Sequence, residues 1–342
     1  METITIKDIA KLCGVAVSTV SRAINNHPDI NEETKSMIMK VIKEKNYIPN
    51  NSARNLKRLD SNTIAVLIKG ITNPLFSSII KTFEVEIKKK KYSFILQRVE
   101  DKEDELDVAI ELAKEKKLKG IVFLGGHFVH SDEKQMQLKV PFVLSTIGSN
   151  QQINKTICSS VAVDDFKESY KMVNYLCGLG HRKIAIITAS IDDGSIGNLR
   201  LNGYLQALKD NGIEVNDKLI RYMKDDIETY SMENGYCVAK ELIDSQEDFT
   251  AIYAICDTLA IGACKAIFDA GKKVPQDYSV AGFDGLDIAK YYNPSITTIR
   301  QPVEDMAQST INILFDMIRK KTSAQHVLFQ GELVVGDSTK LI

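Results

Sequence analysis

The sequence predicts an α/β protein in which a three-helix N-terminal head precedes a core of parallel sheets arranged as two similar lobes. Three observations support this fold class. Helix caps and helical periodicity mark three short helices before residue 50, and short apolar runs alternate with helical stretches from Asn62 onward. The 342 residues, of which 44% are hydrophobic and 26% charged, are also too many for one compact core.

The head contains signals for three helices. The first follows Thr5, whose hydroxyl can cap it, and ends at Gly14. After a three-residue turn, apolar residues recur at helical spacing between Val17 and Ile24. Asn31 is a cap followed by two glutamates, which suit the first turn of a third helix. Two helices joined by a tight glycine turn form the helix-turn-helix arrangement that enters a DNA major groove.

The second helix has a polar face that suits DNA. Val20, Ala23 and Ile24 can pack inward, so that hydroxyls and one arginine project outward. Hydroxyls bind phosphates, and an arginine fork matches the two acceptors on a guanine edge. A solvated helix surface would carry similar residues, so these residues alone leave both interpretations open. The predicted DNA-binding residues of the head are Thr5, Val17, Ser18, Thr19, Ser21, Arg22 and Asn25.

Charge is distributed unevenly along the chain. Residues 1–60 carry ten Lys or Arg and seven Asp or Glu, a net charge of +3, whereas the other residues carry a net charge of −4. A basic head on an acidic body indicates that only the head meets a polyanion. Charges near the N-terminus exclude a signal peptide, and no apolar run approaches the ~18 residues of a membrane span. We therefore expect a cytoplasmic protein.

The sequence carries no motif of a metal site or an enzyme. The six cysteines form no C-x-x-C pair, and His127 and His130 have no acidic or cysteine ligand at motif spacing. No phosphate-binding loop occurs, Gly178-Leu179-Gly180 precedes a strand instead of following one, and residues 193–197 lack the first glycine of a nucleophile elbow. We expect no catalytic residue, no metal and no cofactor.

The core alternates predicted strands with predicted helices. The strands are predicted at residues 63–68, 93–97, 120–125, 141–146, 183–188, 251–255 and 278–283. The helices are predicted at residues 75–90, 103–116, 166–177, 196–210, 233–244, 258–270 and 303–320. This order implies parallel strands joined by crossover helices, and the number of units exceeds one compact sheet.

The segment from Thr5 to Arg58 resembles the DNA-binding head of the lactose-repressor (LacI/GalR) family of bacterial regulators. The resemblance rests on GVAVSTVSRAIN, on NYIPN and on Ala53-Arg54-Asn55-Leu56, with Ala16 where the family usually has Ser or Thr. It implies a helix-turn-helix domain at residues 1–49 and a hinge at 50–61, which becomes a helix when two subunits bind a palindromic operator. In the family, a hinge leucine opens the minor groove. The hinge contacts predicted here are Asn50, Ala53 and Leu56, although a flexible linker is the alternative.

The rest of the chain resembles the two-lobed, periplasmic-binding-protein-like (type I) core of the same family. The matching motifs are NPLF (73–76), GHRKI (180–184), RLNGY (200–204), DTLAIG (257–262), GFD (282–284) and TTIRQP (297–302). The core is predicted to span residues 62–342, with lobe 1 at about 62–160 and 292–322 and lobe 2 at about 161–291 and 323–342. The resemblance implies that a small ligand, usually a sugar or a nucleobase, binds between the lobes.

Six core residues are predicted to contact this ligand because they lie in or just after loops at the carboxyl ends of strands. An arginine and a carboxylate can hold neighbouring hydroxyls, and an aromatic ring can cover an apolar sugar face. The six residues are Asn73, Phe76, Arg200, Asp257, Asp284 and Gln301. Arg200 and Asp284 could instead form a structural ion pair, and Asp257 could instead cap a helix.

The sequence therefore predicts a dimeric transcriptional regulator, with the role of a repressor favoured, that binds operator DNA and responds to a small metabolite. A sugar is favoured, although Cys256 and Ser145 differ from residues common in the family and leave its identity open. Without a heptad repeat near the C-terminus, we expect no tetramer. Three alternatives remain: a catabolite regulator controlled by a phosphorylated carrier protein, an enzyme fused to a DNA-binding head, and an architectural DNA-binding protein. The first would need a basic docking patch, which residues 285–288 do not supply.

Overall fold

A computed structural model describes residues 4–24, 27–45, 47, 62–70, 72–100, 102–126, 128–147, 154, 156–189, 196–319 and 322–342. These residues fall into two compact units, a head within residues 1–60 and a core within residues 61–342. Each unit is described by itself.

The described part of the head consists of helices α1 (Ile6–Cys13), α2 (Val17–Ile24) and α3 (Glu32–Glu44). The Thr5 hydroxyl donates to Asp8 at 2.6 Å where α1 begins, and Asn31 Oδ1 accepts from the Glu33 amide at 2.8 Å where α3 begins. Gly14 has φ +65°, which glycine adopts without strain, and it turns the chain from α1 into α2. The helices enclose a small core of Ile9, Ala10, Val20, Ala23 and Ile38. The predicted three-helix head is confirmed.

The first lobe of the core contains a parallel six-stranded sheet in the order β11-β5-β4-β3-β1-β2. Its strands are β1 (Thr63–Ile68), β2 (Ser93–Arg98), β3 (Gly120–Leu124), β4 (Phe142–Ser145), β5 (Ser159–Val163) and β11 (His326–Phe329). Its helices are α4 (Pro74–Lys89), α5 (Glu105–Lys116), the short α6 (Asp132–Gln135) and α12 (Val303–Ile318). Alternate residues of β1 point to opposite faces, so Ile64 and Val66 pack with α4 and α12 whereas Ala65 and Leu67 pack with α5.

The second lobe contains a parallel four-stranded sheet in the order β7-β6-β8-β9. Its strands are β6 (Ile184–Thr188), β7 (Ile220–Tyr222), β8 (Ala251–Ala254) and β9 (Ser279–Ala281). Its helices are α7 (Asp165–Gly178), α8 (Ile196–Asp210), α9 (Met232–Asp244), α10 (Asp257–Asp269) and the short α11 (Asp287–Tyr291). Glycine lets α9 and α10 approach closely, because a Cβ at Gly262 would lie 2.1 Å from the carbonyl oxygen of Met232.

The chain passes between the lobes three times. It runs from β5 into α7, from β10 (Thr298–Arg300) into α12, and from β11 into β12 (Glu332–Val334). Strands β10 and β12 pair in antiparallel fashion, and the residues after β12 hydrogen-bond to the second lobe, where the Ile342 amide donates to the Leu179 carbonyl at 3.0 Å. These three segments connect the two lobes of one folded unit.

All seven predicted strands and all seven predicted helices of the core are present, with ends within two residues of the prediction. The predicted lobe boundaries need correction. The boundary after residue 160 cuts through β5, and residues 323–342 were expected in the second lobe although β11 pairs with β5 in the first. This pairing joins segments more than 160 residues apart, so no local pattern announces it.

All six cysteines lie in the described part and are free thiols. No helix of the described residues combines the length and apolar composition needed to cross a bilayer.

Candidate functional site

The exposed face of α2 carries three of the ten predicted DNA contacts. Val20 and Ala23 are buried in the head, whereas Ser18 and Arg22 are exposed and Ser21 is half-buried. Because Ser18, Ser21 and Arg22 are separated by three and four residues, they share one side of the helix. This side offers hydroxyls and a guanidinium to a polyanionic groove.

The other predicted DNA contacts have different positions. Val17 is 40% exposed at the start of α2, and Thr19 is half-buried. Thr5 is exposed, but its hydroxyl is bonded to Asp8. The remaining predicted contacts lie outside the described residues, as does the predicted hinge at 50–61: Asn25, Asn50, Ala53 and Leu56.

A cavity of about 560 Å³ opens between the two lobes of the core. Its wall is formed by residues that follow the carboxyl ends of strands from both sheets, which is where open α/β sheets bind ligands. The volume falls in the usual range for small-molecule sites, roughly 300–1,000 Å³. Five of the six predicted ligand contacts line this cavity: Asn73, Phe76, Arg200, Asp284 and Gln301.

Arg200 is a buried cation fixed by several partners. Its Nε and Nη2 atoms each lie 2.8 Å from Oδ1 of Asp165, and Nη1 donates to the carbonyl of Ile255. Nη1 also lies 3.7 Å from Oδ1 of Asp284. The guanidinium stacks on Phe283, with Cζ 3.6 Å from the ring centroid. These contacts hold the guanidinium plane in one orientation at the cavity wall.

Asp284 supplies a buried carboxyl group beside this guanidinium. Its Oδ1 accepts from Nε2 of Gln301 at 2.8 Å, and its amide donates to the Ile299 carbonyl at 2.9 Å. The backbone has φ +114°, a conformation that an L-residue rarely adopts and that is concentrated at functional sites. Burial raises the pKa of Asp284 to about 6, although Arg200 and Gln301 favour the charged form. The group is therefore mainly ionised near neutral pH.

The first lobe contributes an amide and an aromatic ring. Asn73 begins α4, and its Oδ1 accepts from the Leu75 amide at 3.0 Å. Phe76 is 7% exposed and forms part of the apolar wall. Gly125 makes room for this ring, since a Cβ there would lie 2.6 Å from Cζ of Phe76.

Asp257 does not reach the cavity. It is fully buried where α10 begins, its Oδ1 accepts from the Thr298 hydroxyl at 2.6 Å, and its Oδ2 accepts from the Leu286 amide at 2.7 Å. Burial and the nearby Asp284 raise its pKa to about 8. The prediction of a ligand contact at Asp257 is corrected by this placement, because the side chain ties α10 to β10 and to the loop before α11.

Sequence reasoning missed several charged residues of the cavity wall. Asp165 is not among the predicted ligand contacts, because the strand that precedes it, β5, was not predicted. Among the described lining residues, four cations are balanced by four acids: Lys69, Arg98, Lys102 and Arg200 against Asp165, Asp225, Glu228 and Asp284. The described part of the wall therefore carries no net formal charge, which disfavours a strongly charged ligand.

The described residues offer no group of three His, Cys, Asp or Glu side chains that could hold a metal ion. His130 instead lies beside an acid, with Nε2 at 3.0 Å from Oε1 of Glu105. His127 lies outside the described residues.

Comparisons with known proteins identify the families of the head and of the core. Residues 5–50 match the family described as bacterial regulatory proteins, lacI family, and residues 173–339 match the periplasmic binding protein-like domain. The HTH-type transcriptional regulator MalR of Clostridium butyricum is 40% identical, over 97% of this chain and 98% of that protein. This chain belongs to the lacI family of regulators. The HTH-type transcriptional repressor CytR of Escherichia coli (strain K12) is 31% identical, over 99% of this chain and 97% of that protein.

Solved structures of the family share the fold. The structure of the transcriptional regulator CelR in complex with cellobiose has a TM-score of 0.71 and 25% identity, over 98% of this chain and 99% of that one. The predicted fold class, a helix-turn-helix head with a periplasmic-binding-protein-like core, is confirmed. The relatives are transcriptional regulators and not enzymes, in agreement with the expectation that this chain has no catalytic role.

Proposed function

We propose that this protein is a transcriptional repressor that binds a palindromic operator as a homodimer and responds to a neutral sugar bound between the lobes of its core. The observation that carries the proposal is the fixed set of polar groups at the inner wall of the cavity. Arg200 offers donors, Asp284 offers acceptors, and both are held by buried partners. Neighbouring hydroxyls of a sugar match this pairing of charge-assisted donors and acceptors.

The class of ligand follows from charge and shape. Among the residues that the structure describes, four cations and four acids line the cavity, and this balance favours a neutral ligand over a phosphorylated or amino sugar. Phe76 supplies an apolar surface that suits the face of a sugar ring. The cellobiose complex of CelR supports this choice, because that relative holds a neutral sugar on the same fold.

The DNA half of the proposal rests on α2. Its exposed Ser18 and Arg22 lie on one side, as major-groove readout by a recognition helix requires. The repressor role is supported by relatives such as CytR. A single head offers few base contacts, and two heads on a palindrome double them, which favours a dimer on the operator.

A calorimetric titration tests the ligand assignment. Ribose, glucose, maltose and cellobiose are the neutral probes, and glucose 6-phosphate and adenine are the charged and nucleobase comparisons. We expect one neutral sugar to bind and to change operator affinity in a gel-shift assay, and the direction of that change distinguishes an inducer from a corepressor. Binding of adenine or of the phosphorylated sugar alone would overturn the neutral-sugar assignment while leaving the DNA-binding function intact.

A further inference from the structure

One loop supplies a large part of the cavity wall. Residues 223–230 connect β7 to α9 and contain no strand or helix. They place five side chains on the cavity, namely Met223, Asp225, Glu228, Thr229 and Tyr230. The position of this loop therefore determines the shape of the wall and the placement of two of its acids.

Asn234 holds the first half of this loop. The side chain is fully buried in α9 and is not part of the cavity wall. Its Oδ1 accepts from the Lys224 amide at 2.9 Å, and its Nδ2 donates to the carbonyl of Lys224 at 2.9 Å. Nδ2 also lies within hydrogen-bond distance of the carbonyls of Ile227, at 3.3 Å, and Glu228, at 3.4 Å. One side chain thus binds three residues of the loop beyond Met223, whose amide still donates to the Thr188 carbonyl of β6 at 2.8 Å.

Thr258 holds the other end of the loop. Its hydroxyl, on the buried side of α10, donates to the carbonyl of Tyr230 at 2.6 Å. Tyr230 has φ +56°, an uncommon value for a bulky residue that requires support from its surroundings. Because α9 and α10 pack closely at Gly262, the two anchors are mounted on one rigid pair of helices.

We propose that Asn234 and Thr258 are positioning residues that set the sugar affinity and selectivity of the cavity by fixing the loop of residues 223–230. This inference rests on the proposed function. A set of hydrogen bonds to a ligand discriminates between sugars only if its groups are held in place before the ligand arrives. Neither anchor is required to touch the sugar, since each acts through the backbone of the loop.

Hydrogen exchange tests the anchoring without any ligand. In Asn234→Asp, a carboxyl group of the same shape faces the carbonyls of Lys224, Ile227 and Glu228, and it donates to none of them when ionised and to one at most when protonated. We expect amides of residues 225–230 to exchange about tenfold faster, with other segments unchanged. The matched control is Asn216→Asp, because the side-chain oxygen of Asn216 accepts from the Lys218 amide at 3.1 Å and an aspartate keeps that bond. Unchanged exchange in the loop of Asn234→Asp would overturn the proposal.

Titration with ribose, glucose, maltose and cellobiose tests the effect on the ligand. We expect Asn234→Asp to bind the preferred sugar about tenfold more weakly and to separate the four sugars less well, while operator affinity without sugar is unchanged. Thr258→Val keeps the shape of the side chain and removes its hydroxyl, which also lies 3.0 Å from Sγ of Cys256 on the cavity wall. A loss in the same direction, together with faster amide exchange in residues 223–230, would support the proposal if Asn234→Asp folds poorly.

The results of the titrations distinguish the anchoring role of Asn234 and Thr258 from the proposed sugar-binding function. Parent-like sugar affinity in both variants would overturn the role of the anchors and leave the proposed function intact. If the parent protein binds none of the four sugars, the neutral-sugar function fails and the selectivity role fails with it. The exchange measurement would still decide whether Asn234 holds the loop.

Discussion

Lowering the pH should weaken sugar binding through Asp284. Burial raises the pKa of this carboxyl to about 6 in the free protein. A sugar hydroxyl that donates to the carboxylate favours its charged form, so the sugar binds best when the proton has left. Below the pKa of the free protein, each sugar bound must release a proton, and affinity falls as pH decreases.

The size of the effect follows from the fraction of ionised carboxyl. At about pH 7.5 nearly all Asp284 side chains are charged, whereas at about pH 5 roughly one in eleven is, given a pKa of about 6. We therefore expect the dissociation constant to rise about tenfold between these two conditions. The measurement is a calorimetric titration of the preferred sugar across this range, in two buffers of different ionisation enthalpy so that the released proton is counted.

The control is Asp284→Asn, which keeps the shape of the side chain and an oxygen that can accept from Gln301. This variant should bind the sugar at least tenfold more weakly near neutral pH, because a charge-assisted hydrogen bond is worth about 1.5–3 kcal/mol, and its affinity should not depend on pH. A flat pH profile in the parent protein would refute the role of Asp284. A profile that persists in Asp284→Asn would assign it to another acid of the wall, of which Asp165 is the buried one.

Three further changes test other parts of the molecule. Arg22→Ala should weaken operator binding by about 1–3 kcal/mol and relax the preference at one base of each half-site, so an unchanged logo from selections on randomised DNA would contradict base readout. Asp257→Ala should lower the free energy of unfolding, measured in urea, by about 2–5 kcal/mol, because it leaves the Leu286 amide and the Thr298 hydroxyl without their acceptor. An unfolding midpoint equal to that of the parent protein would contradict the structural role of Asp257. Leu56→Ala should reduce operator affinity and bending without changing Tm, whereas a large loss of Tm would place Leu56 in a folded core.

The elements of the core could be predicted because most signals are local. Apolar runs such as residues 63–68 and 120–125 are fully buried strands, and the helices between them keep a clear periodicity. Strand β5 was missed since SSVAV contains two serines, which are buried here through bonds to neighbours: Ser160 to His326 at 2.8 Å, and Ser159 to the Gln325 amide at 2.9 Å. Strand β11 was missed for the related reason that its partner is distant in sequence.

The cavity could be predicted only in part. Arg200, Asp284 and Phe76 belong to motifs that follow predicted elements, so their convergence could be expected from the topology of the fold. Asp257 belongs to such a motif as well, but its direction depends on hydrogen bonds to β10, which no sequence pattern encodes. Asn234 could not be found at all, because a buried asparagine is recognised only by the backbone groups that it binds.

The distribution of the predicted contact residues over the two lobes would give the proposed repressor a route from ligand to response. Asn73 and Phe76 belong to the first lobe, Arg200 to the second, and Gln301 to a segment that crosses between them. A sugar that contacts all four binds best at one separation of the lobes, and it therefore stabilises that arrangement over others. If operator DNA favours one arrangement as well, each ligand must change the affinity of the other by the same factor, about 5–150-fold for a coupling of about 1–3 kcal/mol. Measuring sugar affinity with and without operator, and operator affinity with and without sugar, decides this point. Equal factors that differ from one, in either direction, establish coupling through the lobes, whereas a factor of one in both measurements would mean that the cavity does not regulate DNA binding.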